Sequence, residues 1–227
     1  MTIQTISNRK QFSCLSSYAI ETIRDRNLKA IQPFFERLPP DPYLEGHYRF
    51  RRFSHFQEKN KQLMQLPHAF FYQSKTYNPL LGNVKRDYEE LSGSLVQSDA
   101  FQQTLLTFFE FCRQCSPFHE VGVHQIRVTA DQSETGNPAP EGIHHDGVDL
   151  VGILCIARHG VSGAETQLSI LKGSDPVFRK VLNPGELLVF NDHQFFHYTT
   201  PIMAVEESGY RDVFVFTCPD LPFNLPE

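Results

Sequence analysis

Val121-Gly122-Val123-His124-Gln125-Ile126-Arg127-Val128-Thr129-Ala130 is the first of six short β-runs that fill the second half of this chain. Val148 to Ala157, Glu165 to Leu171, Glu186 to Phe190, Phe195 to Thr199 and Asp212 to Thr217 come after it. Gly160, Gly163, Gly173-Ser174-Asp175-Pro176, Asn183-Pro184-Gly185 and Glu206-Glu207-Ser208-Gly209 punctuate them. Short runs of β-branched and aromatic residues at this spacing, broken by turn formers, predict an antiparallel sandwich or barrel of jelly-roll type.

Upstream the texture is helical. Leu15, Tyr18, Ala19 and Ile23, then Leu28, Ile31, Phe34 and Phe35, recur at three- and four-residue spacing until Pro39-Pro40 stops the pattern. A second helical pattern spans Lys85 to Cys115 and carries Tyr88, Leu91, Leu95, Leu105, Leu106, Phe108, Phe109 and Cys112. Between them Tyr48-Arg49-Phe50-Arg51-Arg52-Phe53 alternates as a half-buried strand with solvated arginines. The expected architecture is mainly β with N-terminal helices packed on one face. A single domain over residues 1–227 is expected, with 1–115 as largely helical support and 116–227 as the jelly-roll core.

Composition excludes several classes. The chain has 227 residues, 40% of them hydrophobic, a net charge of -5 and five cysteines. That length supports one ordinary core. No apolar stretch is long enough to span a bilayer, and Met1-Thr2-Ile3-Gln4-Thr5 lacks the layout of a signal peptide. An odd cysteine count argues for a reducing, cytoplasmic setting without a disulfide framework, and Cys112-Arg113-Gln114-Cys115 reads as a pair of inert thiols. Through Arg113 there are 15 Lys and Arg against 11 Asp and Glu, and from Gln114 onward 6 against 15. An acidic balance without basic runs makes nucleic acid a poor partner.

The chemistry concentrates in Pro138-Ala139-Pro140-Glu141-Gly142-Ile143-His144-His145-Asp146-Gly147. In an extended chain His144 and Asp146 project to one face and His145 to the other. One imidazole and one carboxylate on one face are two-thirds of the facial triad that holds non-haem Fe(II) and leaves three positions open. Any His-x-Asp arises easily by chance in a chain with ten His, so the weight falls on residues further along the chain. Asn191-Asp192-His193-Gln194-Phe195-Phe196-His197 offers the second histidine. His193 lies in a polar turn, whereas His197 lies in an apolar run that can fix its ring, and His197 is preferred. Arg211, at the mouth of the last β-run, is a bidentate anchor for a carboxylate.

The order His-x-Asp, His about fifty residues later and Arg about fourteen further resembles the iron(II)/2-oxoglutarate dioxygenases. The wording Pro-Glu-Gly-Ile-His-x-Asp-Gly, His-x-x-Thr-Pro-Ile and Gly-x-Arg-Asp-Val resembles, more narrowly, the bacterial branch typified by L-isoleucine dioxygenase, which hydroxylates free aliphatic amino acids. His124-Gln125-Ile126-Arg127-Val128 and, more loosely, Leu38 to Tyr43 and Arg51-Arg52-Phe53 extend the likeness upstream. His145 stands where that branch has Arg, and Phe196 where it has an aromatic such as Trp.

The resemblance implies a double-stranded β-helix of cupin-like type, with His144, Asp146 and His197 as iron ligands and Arg211, with Gln125, as contacts of the cosubstrate 2-oxoglutarate. It implies a reaction in which O₂ and 2-oxoglutarate yield succinate, CO₂ and a hydroxylated substrate, and the presence of Asp146 favours hydroxylation over halogenation. For a free amino acid, Arg127 and the arginines of Arg49 to Arg52 are candidates for the carboxylate and Asp149 for the ammonium. The alternatives are an oxygenase of another small polar metabolite and a cupin-like metal-binding module without catalysis.

Overall fold

The computed structural model describes residues 18–219. Leu15, the N-terminal pentapeptide and the last eight residues lie outside the described residues. In chain order the elements are β1 (Tyr18–Thr22), α1 (Asp25–Ile31), β2 (Arg49–Lys59), β3 (Gln62–Gln65), α2 (Gly93–Val96), α3 (Asp99–Cys115) and β4 (Glu120–Asp131). They continue with β5 (Leu150–His159), β6 (Val161–Gly163), β7 (Glu165–Ser169), β8 (Phe178–Val181), β9 (Glu186–Asn191), β10 (Phe196–Thr199), β11 (Ile202–Ala204) and β12 (Ser208–Cys218).

A seven-stranded sheet runs β1-β9-β5-β12-β4-β2-β3, faced by a three-stranded sheet β10-β7-β8 and a short β11-β6 pair. Every pairing is antiparallel. This is the jelly roll. One face of the large sheet packs on the helices. Phe101, Leu105, Phe108, Phe109 and Cys112 form the buried stripe of α3 and meet Val121, Val123, Phe214 and Phe216. The other face looks into the roll, where Val151, Ile153, Leu188 and Phe190 pack against Leu168, Phe178 and Phe195. Among the described residues no helix is long and apolar enough to cross a membrane.

The first half is less helical than its periodicity predicts. Tyr18–Thr22 is a strand paired with β9, because it is buried on both faces: Ala19 joins the helix-side core while Tyr18 and Ile20 enter the roll. Helix α1 starts only at Asp25. The second helical pattern is realised not from Lys85 but as the single turn α2 from Gly93 and the long helix α3 from Asp99, at whose start the Ser98 hydroxyl accepts from the Phe101 N–H. Residues 85–92 are extended and bond to neighbours through Arg86 with Phe71 and through the Glu89 carbonyl with Phe53. Strand β2 is longer than expected, and its arginines are not all solvated, since Arg51 is 4% exposed. Cys112 is a buried free thiol, whereas Cys115 is disulfide-bonded, so the two are not a pair of free thiols.

Gly152 shows how closely α3 approaches the sheet. A Cβ there would lie 2.7 Å from Phe108 Cε2 and 3.2 Å from Phe216 Cδ2. Gly152→Val is therefore expected to destabilise the fold by about 1–3 kcal/mol. A lowered urea midpoint at unchanged slope would report it.

Candidate active site

Two backbone hydrogen bonds set the site. His144 N–H donates to the His197 carbonyl at 3.1 Å and His197 N–H to the His144 carbonyl at 2.8 Å. Residues opposed in this way put both side chains on one face, and the two imidazole centroids stand 4.2 Å apart. Asp146 completes the cluster, with Oδ1 3.7 Å from His144 Nε2 and Oδ2 3.5 Å from His197 Nε2. One ligand atom from each of the three lies within 4.8 Å of the others. Two donors each about 2.1 Å from a shared ion are at most ~4.2 Å apart, and each imidazole has one Asp146 oxygen inside that limit.

The surrounding groups orient these ligands. His144 Nδ1 lies 2.8 Å from the Gly142 carbonyl, which fixes the tautomer that leaves Nε2 free for a metal. Asp192 is buried and accepts from the backbone N–H groups of Asp146, Gly147 and Val148, while its Oδ1 stands 3.6 Å from His197 Nδ1. One carboxylate thus ties the His-x-Asp turn to the second histidine. Gln73, on the long connection before α2, donates from Nε2 to Asp146 Oδ1 at 3.0 Å. Its own carbonyl accepts from Asn78 and Arg86, so the amide is held with its N–H toward the metal site.

The cluster opens into a cavity whose floor is read from alternate residues of neighbouring strands. Arg211, Val213, Val215 and Thr217 of β12 lie beside His124, Ile126 and Val128 of β4, with Arg49 and Arg51 of β2 beyond them. Arg211 is 2% exposed, and its Nε and one terminal nitrogen have no hydrogen-bond partner among the described residues. Burial lowers its guanidinium to about 10, so it stays charged at neutral pH. A buried cation with free donors facing a cavity fits a carboxylate ligand. Glu141 also lines the cavity, its Oε1 3.1 Å from His144 Nε2.

His144, Asp146, His197 and Arg211 come together here, and Arg49 and Arg51, two of the candidate arginines, line the same cavity. Gln125, Arg127 and Asp149 lie elsewhere. Gln125 and Arg127 share a face of β4, but it is the face turned away from the cavity. Gln125 donates to the Phe34 carbonyl at 3.0 Å, and Arg127 forms a bidentate pair with Asp212 at 2.7 Å for each bond. Asp149 is occupied by Ser116 and by His193, whose side chain is 66% exposed. Gln73, Arg86 and Asp192 belong to the site without having been assigned a role from the sequence. Asp192 sits within the quoted Asn191 to His197 run, whereas nothing in the sequence around Gln73 marks it.

A two-histidine, one-carboxylate cluster at the mouth of a jelly roll defines a non-haem metal oxygenase, and similarity to known proteins makes the class specific. The family model for 2OG-Fe dioxygenases matches residues 32–217. The chain belongs to this family and is an Fe(II)- and 2-oxoglutarate-dependent dioxygenase, which sets aside a non-catalytic metal-binding module. It is 27% identical over 199 residues to a 3(1)-hydroxy-L-isoleucine 4-dioxygenase of Pantoea ananatis (strain AJ13355), covering 84% of this chain and 80% of that one. A bsmA homologue from Methylobium petroleophilum PM1 superposes with a TM-score of 0.82 at 28% identity, covering 94% of this chain and 92% of the other. IDO from Bacillus thuringiensis shares the fold at a TM-score of 0.71 and 19% identity, with 85% of each chain covered.

Proposed function

We propose that the enzyme hydroxylates a C–H bond of a small free L-amino acid with an aliphatic side chain, such as leucine, isoleucine or methionine, while 2-oxoglutarate is decarboxylated to succinate. The reading is carried by one juxtaposition: the His144, Asp146 and His197 cluster shares a cavity, walled in part by Ile126, Val128 and Val213, with a buried arginine that has two unpartnered nitrogens among the described residues. The relative named for a hydroxylated isoleucine supports the substrate class.

His144, Asp146 and His197 would hold the iron, and a set of three protein donors leaves it accessible to cosubstrate and O₂. The iron, when bound, supplies the activation of O₂ that hydroxylation of an unactivated C–H requires. Arg211 would receive the far carboxylate of 2-oxoglutarate, so that its other end points toward the triad. Gln73 and Asp192 keep Asp146 and His197 aimed while ligands exchange. Ile126, Val128 and Val213 form an apolar wall, which discriminates neighbouring side chains differing by one methylene by only ~1–3 kcal/mol.

Mass spectrometry with Fe(II), 2-oxoglutarate and a panel of free, N-acetylated and amidated amino acids tests this. The expected result is a product one oxygen heavier from several free aliphatic amino acids, with modest preference among them, and far less from blocked forms. A catalyst that preferred the blocked forms would overturn the free-amino-acid reading.

A further inference from the structure

Arg51 and Arg86 are two further buried cations, and among the described residues neither has a carboxylate within salt-bridge distance, the cavity's Asp41 and Glu141 acting on them only from further away. Arg51 donates to the Tyr88 hydroxyl and lies against His124 Nδ1, with its guanidinium 4.3 Å from the Tyr88 ring and 5.2 Å from the Phe71 ring. His124 offers no charge, because burial and the adjacent Arg51 hold it well below its ordinary value. Arg86 donates to the Gln73 amide at 2.9 Å and stacks 4.3 Å from the Phe71 ring. The Nε of each is buried without a hydrogen-bond partner among the described residues. Other arginines are treated differently: Arg49 pairs with Asp41, Arg52 with Glu89 and Arg127 with Asp212.

An unpaired charge removed from water costs several kcal/mol, so two such groups facing one cavity call for an anion from outside. That anion is not the one at Arg211. Arg51 is opposite Ile126 in β4 and Arg211 opposite Val128, and β4 separates their strands. Two strand spacings put their backbones about 10 Å apart, with the apolar wall between them.

We propose that Arg51 and Arg86 form the substrate's carboxylate site, a second anion site distinct from that of the cosubstrate. It selects molecules with a free carboxylate and an aliphatic body that reaches across Ile126 toward the triad. Esters, amides and peptide-embedded residues are excluded because they bring no charge to two buried guanidiniums. The assignment rests on the amino-acid reading for the ammonium end of the ligand but not for its carboxylate.

The test uses the anaerobic Fe(II)–2-oxoglutarate holoenzyme, whose metal-to-ligand absorption band reports ligand entry. It is titrated with L-leucine, L-isoleucine and L-methionine, their amides, and 4-methylpentanoate, a carboxylate without an ammonium. Wild type should bind the free acids and 4-methylpentanoate in preference to the amides. Arg51→Met and Arg86→Met, each made separately in case one fails to fold, should weaken the carboxylates at least about 30-fold. Arg51→Met should leave the amides and 2-oxoglutarate within a few-fold of wild type, whereas Arg86 also holds the Gln73 amide against Asp146, so its variant is read by the ratio of acid to amide affinity alone. If 4-methylpentanoate binds through these arginines while no amino acid binds, the site stands and the amino-acid reading falls. If amino acids bind and both variants keep the preference for acid over amide, the site is wrong and the reading survives. If no carboxylate in the set binds wild type, the site is overturned.

Discussion

Alanine in place of His144, Asp146 or His197 is expected to abolish turnover and to weaken Fe(II) binding by more than about 100-fold. Loss of a group that merely orients a ligand typically costs 10–100-fold, and loss of the ligand itself costs more. Each side chain also holds its neighbours, since Asp146 lies between both imidazoles at 3.7 and 3.5 Å. His193→Ala and His145→Ala supply the contrast. His193 is exposed and bonded to Asp149, and His145 packs on the Phe196 ring at 3.7 Å between centroids. Both variants should retain iron after anaerobic reconstitution. Stoichiometric iron in His197→Ala, or its loss in His193→Ala, would move the distal ligand.

How much the sequence discloses depends on whether a pattern has one reading. The β-runs from Val121 onward are bounded by turn residues, and the fold has a strand at each of them, four in the large sheet and two in the three-stranded one. Tyr18–Thr22 is opaque because a strand buried on both faces loses its period of two, and its apolar residues then mimic a helix. Lys85 to Ser92 joins the second helical pattern on the strength of Tyr88 and Leu91, yet the helix start is marked elsewhere, at the Ser98 cap. The extended geometry that puts His144 beside Asp146 comes from residue parity. Its pairing with His197 is a contact across 53 residues that parity cannot supply.

Parity also explains the misplaced arginine. Along β4, Val121 and Val123 lie under the helices, and Gln125 and Arg127 continue that same face beyond them, where they bond to Phe34 and Asp212. His124, Ile126 and Val128 occupy the other face, toward the cavity. Each face carries both apolar and polar residues, so alternation alone does not tell which one is inward. Arg127 thus looks available in the sequence and is neutralised in the fold, whereas Arg51 looks solvated and is buried. Gln73 reaches the site from a connection without periodicity and Arg86 from the start of a stretch whose apolar spacing predicts helix, so only the fold brings them there.

Arg211→Ala is expected to raise the requirement for 2-oxoglutarate far more than that for the amino acid. Truncating one member of a buried, charge-assisted pair costs about 2–5 kcal/mol, which corresponds to roughly 30-fold to several thousand-fold in affinity. The upper part of that range applies if the far carboxylate has no other cation to turn to. Arg49 shares the Val128 row with Arg211 but is held by Asp41, and Arg158 donates to the Gly163 carbonyl. Lysine at position 211 should rescue only in part, because a point charge restores attraction without the planar fork. Anaerobic titration of the metal-to-ligand band separates this loss from any effect on the amino acid, whose binding is then measured at saturating 2-oxoglutarate. A variant that bound 2-oxoglutarate with wild-type affinity would remove Arg211 from this role and make Arg49, across β4 on the same row, the next residue to replace.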